Sequence, residues 1–233
     1  MEVKSNNQEL NRSSLLKLAL SRVTMFLALY ILLLFVPAWT WRYWQAWVYL
    51  VVLIVPMLLV IKYLLKNDPR LMERRMRMRE KRKEQKWIIV LSWIAFLPIF
   101  LLPGFDIRYG WSNLPWWVCL GADIFMLTGY FLFSKVLKTN TFTSRIIEVE
   151  KGQKVISSGP YAVVRHPMYV AVLIIYLFSP LALGSFWALV PFPIMILTLI
   201  IRILDEEKAL TAELEGYKEY TKKTKYRLVP GLW

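Results

Sequence analysis

Arg202 and Glu206 lie four residues apart in Arg202-Ile203-Leu204-Asp205-Glu206-Glu207, so on a helix they share one face, one turn from each other. A guanidinium in that position can grip an acid with two parallel hydrogen bonds. A bound carboxylate is already ionised at neutral pH and needs no base, whereas an ammonium must lose a proton before it can react, for which Glu206 or Glu207 is the candidate. About thirty residues earlier, Gly159-Pro160-Tyr161-Ala162-Val163-Val164-Arg165-His166-Pro167-Met168-Tyr169 contains the only histidine of the 233 residues, between a cation and a helix-starting proline. The two clusters bracket one apolar run. If that run folds into a hairpin, both emerge on the same side and line a common pocket.

The elements that must position them belong to a membrane. The chain is 57% hydrophobic and 15% aromatic, and several apolar stretches can cross ~30 Å of hydrocarbon at ~1.5 Å per residue. The expected fold is an all-α integral membrane protein with about six transmembrane helices, near 15–36, 44–65, 87–103 and 115–137, then a tight hairpin of 167–181 and 185–204. Pro180, Gly184, Pro191 and Pro193 interrupt the last block, and such residues break or kink helices. With both termini inside, the outer loops hold only Arg42 and Arg108 of 30 basic residues, which is the arrangement that the bias of Lys and Arg towards cytoplasmic loops requires. The expected protein is multi-pass with cytoplasmic N- and C-termini. Two regions are expected: residues 1–137, holding the first helices and a basic cytoplasmic loop at 66–86, and residues 138–233, carrying the chemistry.

The net charge of +14 is explained by a polybasic face on anionic lipid, worth ~1 kcal/mol per residue near the surface, so no nucleic acid is called for. One cysteine, Cys119, excludes a disulfide within the chain, and one histidine with one cysteine cannot build a typical zinc site, so no metal is expected. No Gly-rich phosphate loop is present. The first apolar stretch is too long, and lacks the small-residue cleavage site, for a cleaved signal peptide. No internal repeat supports a transporter. Trp39, Trp41, Trp44, Trp47, Trp111, Trp116 and Trp117 suit interfacial belts, and the basic run 70–86 suits a solvated or lipid-facing helix. Residues 146–156 suggest two short extended pieces about a Glu-Lys-Gly turn. Residues 205–225 suggest an amphipathic helix at the membrane surface, and the closing 226–233, rich in Pro, Gly and Trp, suggests a segment that docks.

Taken together, Gly-x-Tyr-x-x-x-Arg-His-Pro-x-Tyr, an apolar hairpin, Arg-x-x-x-Glu-Glu-x-x-Leu and Gly-Tyr-x-x-Tyr resemble the isoprenylcysteine carboxyl methyltransferase family and the related membrane phospholipid methyltransferases. The resemblance covers about residues 141–233; over the first half only hydropathy is comparable. It implies methyl transfer from S-adenosylmethionine in a cytosolic pocket to a lipid-linked or isoprenoid acceptor entering from the bilayer. It places cofactor contacts on Glu148, the strand Gln153, Lys154, Val155 and Ile156, then Tyr161, His166, Pro167, Met168, Tyr169, Glu206 and Glu207. Arg202 matches the residue that holds the acceptor, and Arg202 and Glu206 are the implied catalytic pair. Aromatic faces and carboxylates suit a sulfonium, at ~0.5–2 kcal/mol per face. Where many members have glycine two residues after the second tyrosine, this chain has Ala171. The alternatives are phospholipid N-methylation, an NADPH-dependent membrane sterol-type reductase, the end of which residues 226–233 also resemble, and a non-enzymatic membrane scaffold.

Overall fold

The computed structural model describes residues 12–76, 83–143, 149 and 152–233, and of 83–86 and 89 the backbone only. Among the described residues eight α-helices run in the order α1 (Arg12–Ala38), α2 (Trp44–Asn67), α3 (Pro69–Met76), α4 (Lys83–Tyr109), α5 (Trp116–Thr139), α6 (Pro167–Ala182), α7 (Phe192–Glu213) and α8 (Tyr217–Lys223), with short 3₁₀ turns at Gly159–Ala162 and Trp187–Leu189. Helices α1, α2, α4, α5 and α7 are long and apolar enough to cross a membrane, and α6 is a shorter apolar helix. The protein is an all-α, multi-pass integral membrane protein.

Helix limits follow local chemistry. Asp68 ends α2 and starts α3: its Oδ1 accepts from the Leu71 N–H at 2.9 Å, and Pro69 occupies the first helical position, where no N–H is needed. Pro167 begins α6 in the same way. Gly216, at φ +80°, separates α7 from α8 in a left-handed conformation that most side chains resist. The charged stretch after Leu204 therefore divides: its first half extends α7 to Glu213, and its second half forms α8.

Packing pairs α5 with α6, α1 with α4 and α4 with α7. Small residues allow the close crossings. A Cβ at Gly129 on α5 would lie 2.8 Å from Ile175 Cγ1 and 3.1 Å from the Ala171 carbonyl oxygen on α6, and one at Gly104 on α4 would lie 2.6 Å from the Leu34 carbonyl oxygen on α1. Close approach of this kind supplies van der Waals contact where lipid removes the hydrophobic drive between helices. Around Leu34, Tyr43, Ile99, Phe100 and Leu183 a buried core forms. At its far end Asp106 accepts from the Ser112 N–H at 2.6 Å, the Ser112 hydroxyl at 2.7 Å and the Ser185 hydroxyl, tying the α4 terminus to the α6–α7 connection.

The expected extended pieces at 146–156 need correction. Residues 144–148, 150 and 151 lie outside the described residues. The described 152–156 run without a strand ladder, and no strand occurs among the described residues. Gln153, Lys154, Val155 and Ile156 line a cavity, and among the described residues no strand lies alongside them.

Candidate active site

Three helices and a turn deliver the polar residues to one place. The 3₁₀ turn at Gly159–Ala162 buries Tyr161 against α5 and α8. The Tyr161 hydroxyl accepts from Asn140 Nδ2 at 3.1 Å, and its carbonyl accepts from the Tyr220 hydroxyl at 2.7 Å and the Thr224 hydroxyl at 3.3 Å. Burial raises the Tyr161 phenol well above its usual range and pushes Tyr220 up to about 12, so both remain protonated at neutral pH.

Tyr169, in the first turn of α6, bridges to α7. Its hydroxyl donates to Glu206 Oε2 at 2.6 Å and accepts from Arg202 Nε at 3.0 Å. The one-turn spacing of Arg202 and Glu206 is therefore real, and a phenol from another helix joins them. This fixes the orientation of both charged groups in the middle of α7, about two turns or more before its end at Glu213.

Glu207 faces the other way. Its carboxylate accepts from Arg165 Nε at 2.6 Å and Arg227 Nε at 2.8 Å, with His166 Nε2 at 3.2 Å. A carboxylate only accepts, so Nε2 is the histidine nitrogen that carries hydrogen. Arg165 also donates to the Thr224 and Lys225 carbonyls at 2.9 and 2.7 Å. Backbone bonds from Arg165 to the Tyr226 carbonyl and from His166 to the Arg227 carbonyl complete the attachment. The closing segment docks, as its composition suggests: the N–H groups of 227, 228 and 229 all donate to the Trp233 carbonyl oxygen, and the Arg227 guanidinium lies over the Trp233 ring.

These elements enclose a cavity of about 560 Å³. Of the expected site residues, Gln153, Lys154, Val155, Ile156, Tyr161, His166, Pro167, Met168, Tyr169, Arg202 and Glu206 line it. Glu207 does not line it; it holds the wall behind, through Arg165 and Arg227. Glu148 lies outside the described residues. The cavity also takes residues that the motifs do not include: Asn140 and Phe142 after α5, Arg75 from α3, Thr198 and Leu199 from α7, and Phe26, Ser92, Trp93 and Phe96 from α1 and α4. Arg75 belongs to the run that suits a solvated or lipid-facing helix, and its guanidinium lies over the Phe133 ring. Asn140 follows the last turn of α5 and carries no signal beyond its polarity. The α1 and α4 residues are ordinary side chains in apolar spans, so only their placement reveals them.

The cavity is polar at one end and apolar at the other. Two tyrosine rings and the Glu206 carboxylate offer faces and negative charge for a sulfonium, and the backbone of 153–156, outside any strand ladder, offers donors and acceptors for a heterocycle edge. The donor set thus fits S-adenosylmethionine. Among the described residues no cluster of three His, Cys, Asp or Glu that could hold a metal is present.

Residues 121–212 match the model of the isoprenylcysteine carboxyl methyltransferase (ICMT) family. The match begins inside α5 and ends within α7, so it takes in the His166 and Arg202 clusters but neither α8 nor the docked 226–233 segment. No curated protein matches the chain. Members of the matched family are carboxyl methyltransferases that use S-adenosylmethionine as methyl donor, and the protein is an S-adenosylmethionine-dependent methyltransferase.

Proposed function

We propose that this membrane methyltransferase, which carries an ICMT-family domain over residues 121–212, acts on the carboxylate of an isoprenylcysteine-like, lipid-linked or hydrophobic acceptor. The observation that supports this reading is the Arg202–Tyr169–Glu206 chain, set where the polar and apolar parts of one cavity meet. S-adenosylmethionine supplies an electrophilic methyl group on a sulfonium. Tyr161, His166, Met168, Tyr169 and Glu206 would hold it, with the backbone of 153–156. Arg202 would hold the acceptor carboxylate by charge-assisted hydrogen bonds. The acceptor is ionised before it binds, so no residue needs to remove a proton, and the protein's work is alignment and exclusion of water. Well-oriented model reactions gain up to ~7–11 kcal/mol in this way.

In this reading residues 138–233 carry the catalytic groups, and 1–137 form the membrane body that walls the apolar end. The bias of basic residues supports an orientation with both termini and the pocket mouth on the cytoplasmic side. The test is calorimetric binding of S-adenosylhomocysteine and of NADPH to the detergent-purified protein, followed by methyl transfer to prenylated N-acetylcysteines. Micromolar binding of the first ligand, lost in Glu206→Ala, with methyl ester formed on the prenylcysteine, is the expected result. Methylation of a phospholipid amine in place of the prenylcysteine would overturn the acceptor assignment. Binding of NADPH alone would overturn the reading as a whole.

A further inference from the structure

Among the described residues four Lys or Arg side chains line the cavity: Arg75, Lys154, Arg165 and Arg202. Arg202 is bonded to Tyr169, and the reading above gives it the acceptor. Arg165 directs its donors to Glu207 and to the Thr224 and Lys225 carbonyls. Lys154 is exposed. Arg75 is half-buried and comes from α3, which lies outside the matched residues 121–212.

The packing of α3 carries Arg75 to the site. Leu71 and Met72 are buried and pack with Ala19, Leu64 and Leu137. Arg75 follows them by four and three residues, on the same helix face, and its guanidinium lies 5.4 Å from the centroid of the Phe133 ring on α5. The residues on either side fasten the end of α3. Arg22 on α1 donates to the Met76 carbonyl at 2.6 Å, and Arg74 donates to the Thr141 carbonyl at 2.7 Å. Thr141 stands between Asn140 and Phe142, which both line the cavity, and Asn140 reaches the Tyr161 hydroxyl. Met168 packs against both the α3 cluster and the cluster around Tyr161. The Tyr161 phenol, raised mainly by burial, is drawn down by the Asn140 hydrogen bond and by the Arg75 charge, which sets that cation at the Tyr161 end of the cavity.

A donor bound at that end calls for a cation. S-adenosylmethionine carries an amino-acid carboxylate that is ionised at neutral pH, and an ionised group taken into a partly closed cavity is costly unless it is paired. The side chains given to the donor above, Tyr161, His166, Met168, Tyr169 and Glu206, include no permanent positive charge. An arginine fork matches a carboxylate by two parallel hydrogen bonds. We propose that Arg75 binds the α-carboxylate of S-adenosylmethionine, so that the donor is held by both halves of the chain while Arg202 is kept for the acceptor. This inference rests on the placement of the donor in the reading above.

The experiment is calorimetry of S-adenosylhomocysteine and of decarboxylated S-adenosylhomocysteine, which lacks only the α-carboxylate, on detergent-purified wild type, Arg75→Ala and Arg75→Lys. Arg75→Ala is expected to weaken S-adenosylhomocysteine about ten- to a hundredfold, the scale of a hydrogen-bonded charge pair. It should leave the decarboxylated ligand within about threefold of its wild-type affinity, because the partner of the missing group is already gone. Arg75→Lys keeps the charge without the fork and should lose less. If Arg75→Ala does not purify folded, Arg75→Lys is read in its place, its loss again confined to the ligand that has the carboxylate. An equal loss for both ligands would make Arg75 a support of α3 and overturns the assignment. So does unchanged affinity for S-adenosylhomocysteine, whether or not the KM of a prenylated N-acetylcysteine rises. Either result leaves the rest of the donor site standing. Absence of S-adenosylhomocysteine binding by the wild type overturns the donor placement and the inference with it.

Discussion

Arg202 and Glu206 are tied through one phenol yet face different tasks. Arg202→Ala should abolish turnover while leaving S-adenosylhomocysteine affinity within about threefold, since removing a group that grips the acceptor in the transition state lowers kcat/KM without touching the donor. Arg202→Lys should restore little, because an ammonium cannot reproduce the planar fork. Glu206→Gln should weaken S-adenosylmethionine binding about ten- to a hundredfold, since the lost carboxylate charge would face the sulfonium, on the scale of a charge-assisted interaction of ~1.5–3 kcal/mol. Calorimetry and single-turnover methyl transfer on the same preparations separate the two effects. The reverse pattern would exchange the roles. Much of this is legible from the four-residue spacing. The part of Tyr169 as the bridge is not, because it joins residues 33 and 37 positions away and depends on how α6 meets α7.

At the scale of elements, Glu207 serves the fold of the site. Its place beside Glu206 groups it with the cofactor contacts, but a helix turns by about 100° per residue, and that rotation carries it out of the cavity, behind the wall that Arg165 lines. There it holds Arg165 and Arg227, with side chains 6% and 30% exposed against its own 11%. Glu207→Ala would leave buried guanidinium charge uncompensated, a loss of about 3–5 kcal/mol. It should lower the thermal midpoint and free the 226–233 segment to proteolysis, with donor binding falling secondarily. Full retention of the midpoint would refute this role. Gly129→Val tests the α5–α6 crossing, because the nearest atoms include a backbone carbonyl that cannot rotate away. It should destabilise by about 1–3 kcal/mol, as overpacking does, visible as a lower midpoint with the polar site chemically unchanged.

For the whole molecule, the large exposed apolar surface of α1, α2, α4 and α5, including Leu32, Leu59, Ile94 and Phe131, is the face a bilayer must cover. The orientation predicted from basic residues can be checked with single cysteines placed in a Cys119→Ser background. Lys225→Cys should react with a membrane-impermeant maleimide only after the inner face is opened, and Arg42→Cys should react from outside. Labelling in the opposite order would invert the topology and move the pocket mouth to the other side.

The sequence alone determined the membrane class, the presence of the long apolar helices and the two polar clusters, because apolar run length, proline and glycine placement and i, i+4 spacing are local properties of a chain. It also carried the family resemblance, since that motif is local. Tertiary structure decided which carboxylate faces the cavity and which anchors the wall. It decided that 152–156 run outside any strand ladder, and that Phe26, Trp93 and Phe96 from the unmatched half complete the apolar end. These are outcomes of helix rotation and of which helices become neighbours. They are fixed by the close crossings at Gly129 and Gly104 and by the Arg165–Glu207–Arg227 cluster, contacts between residues far apart in the chain that no local pattern encodes.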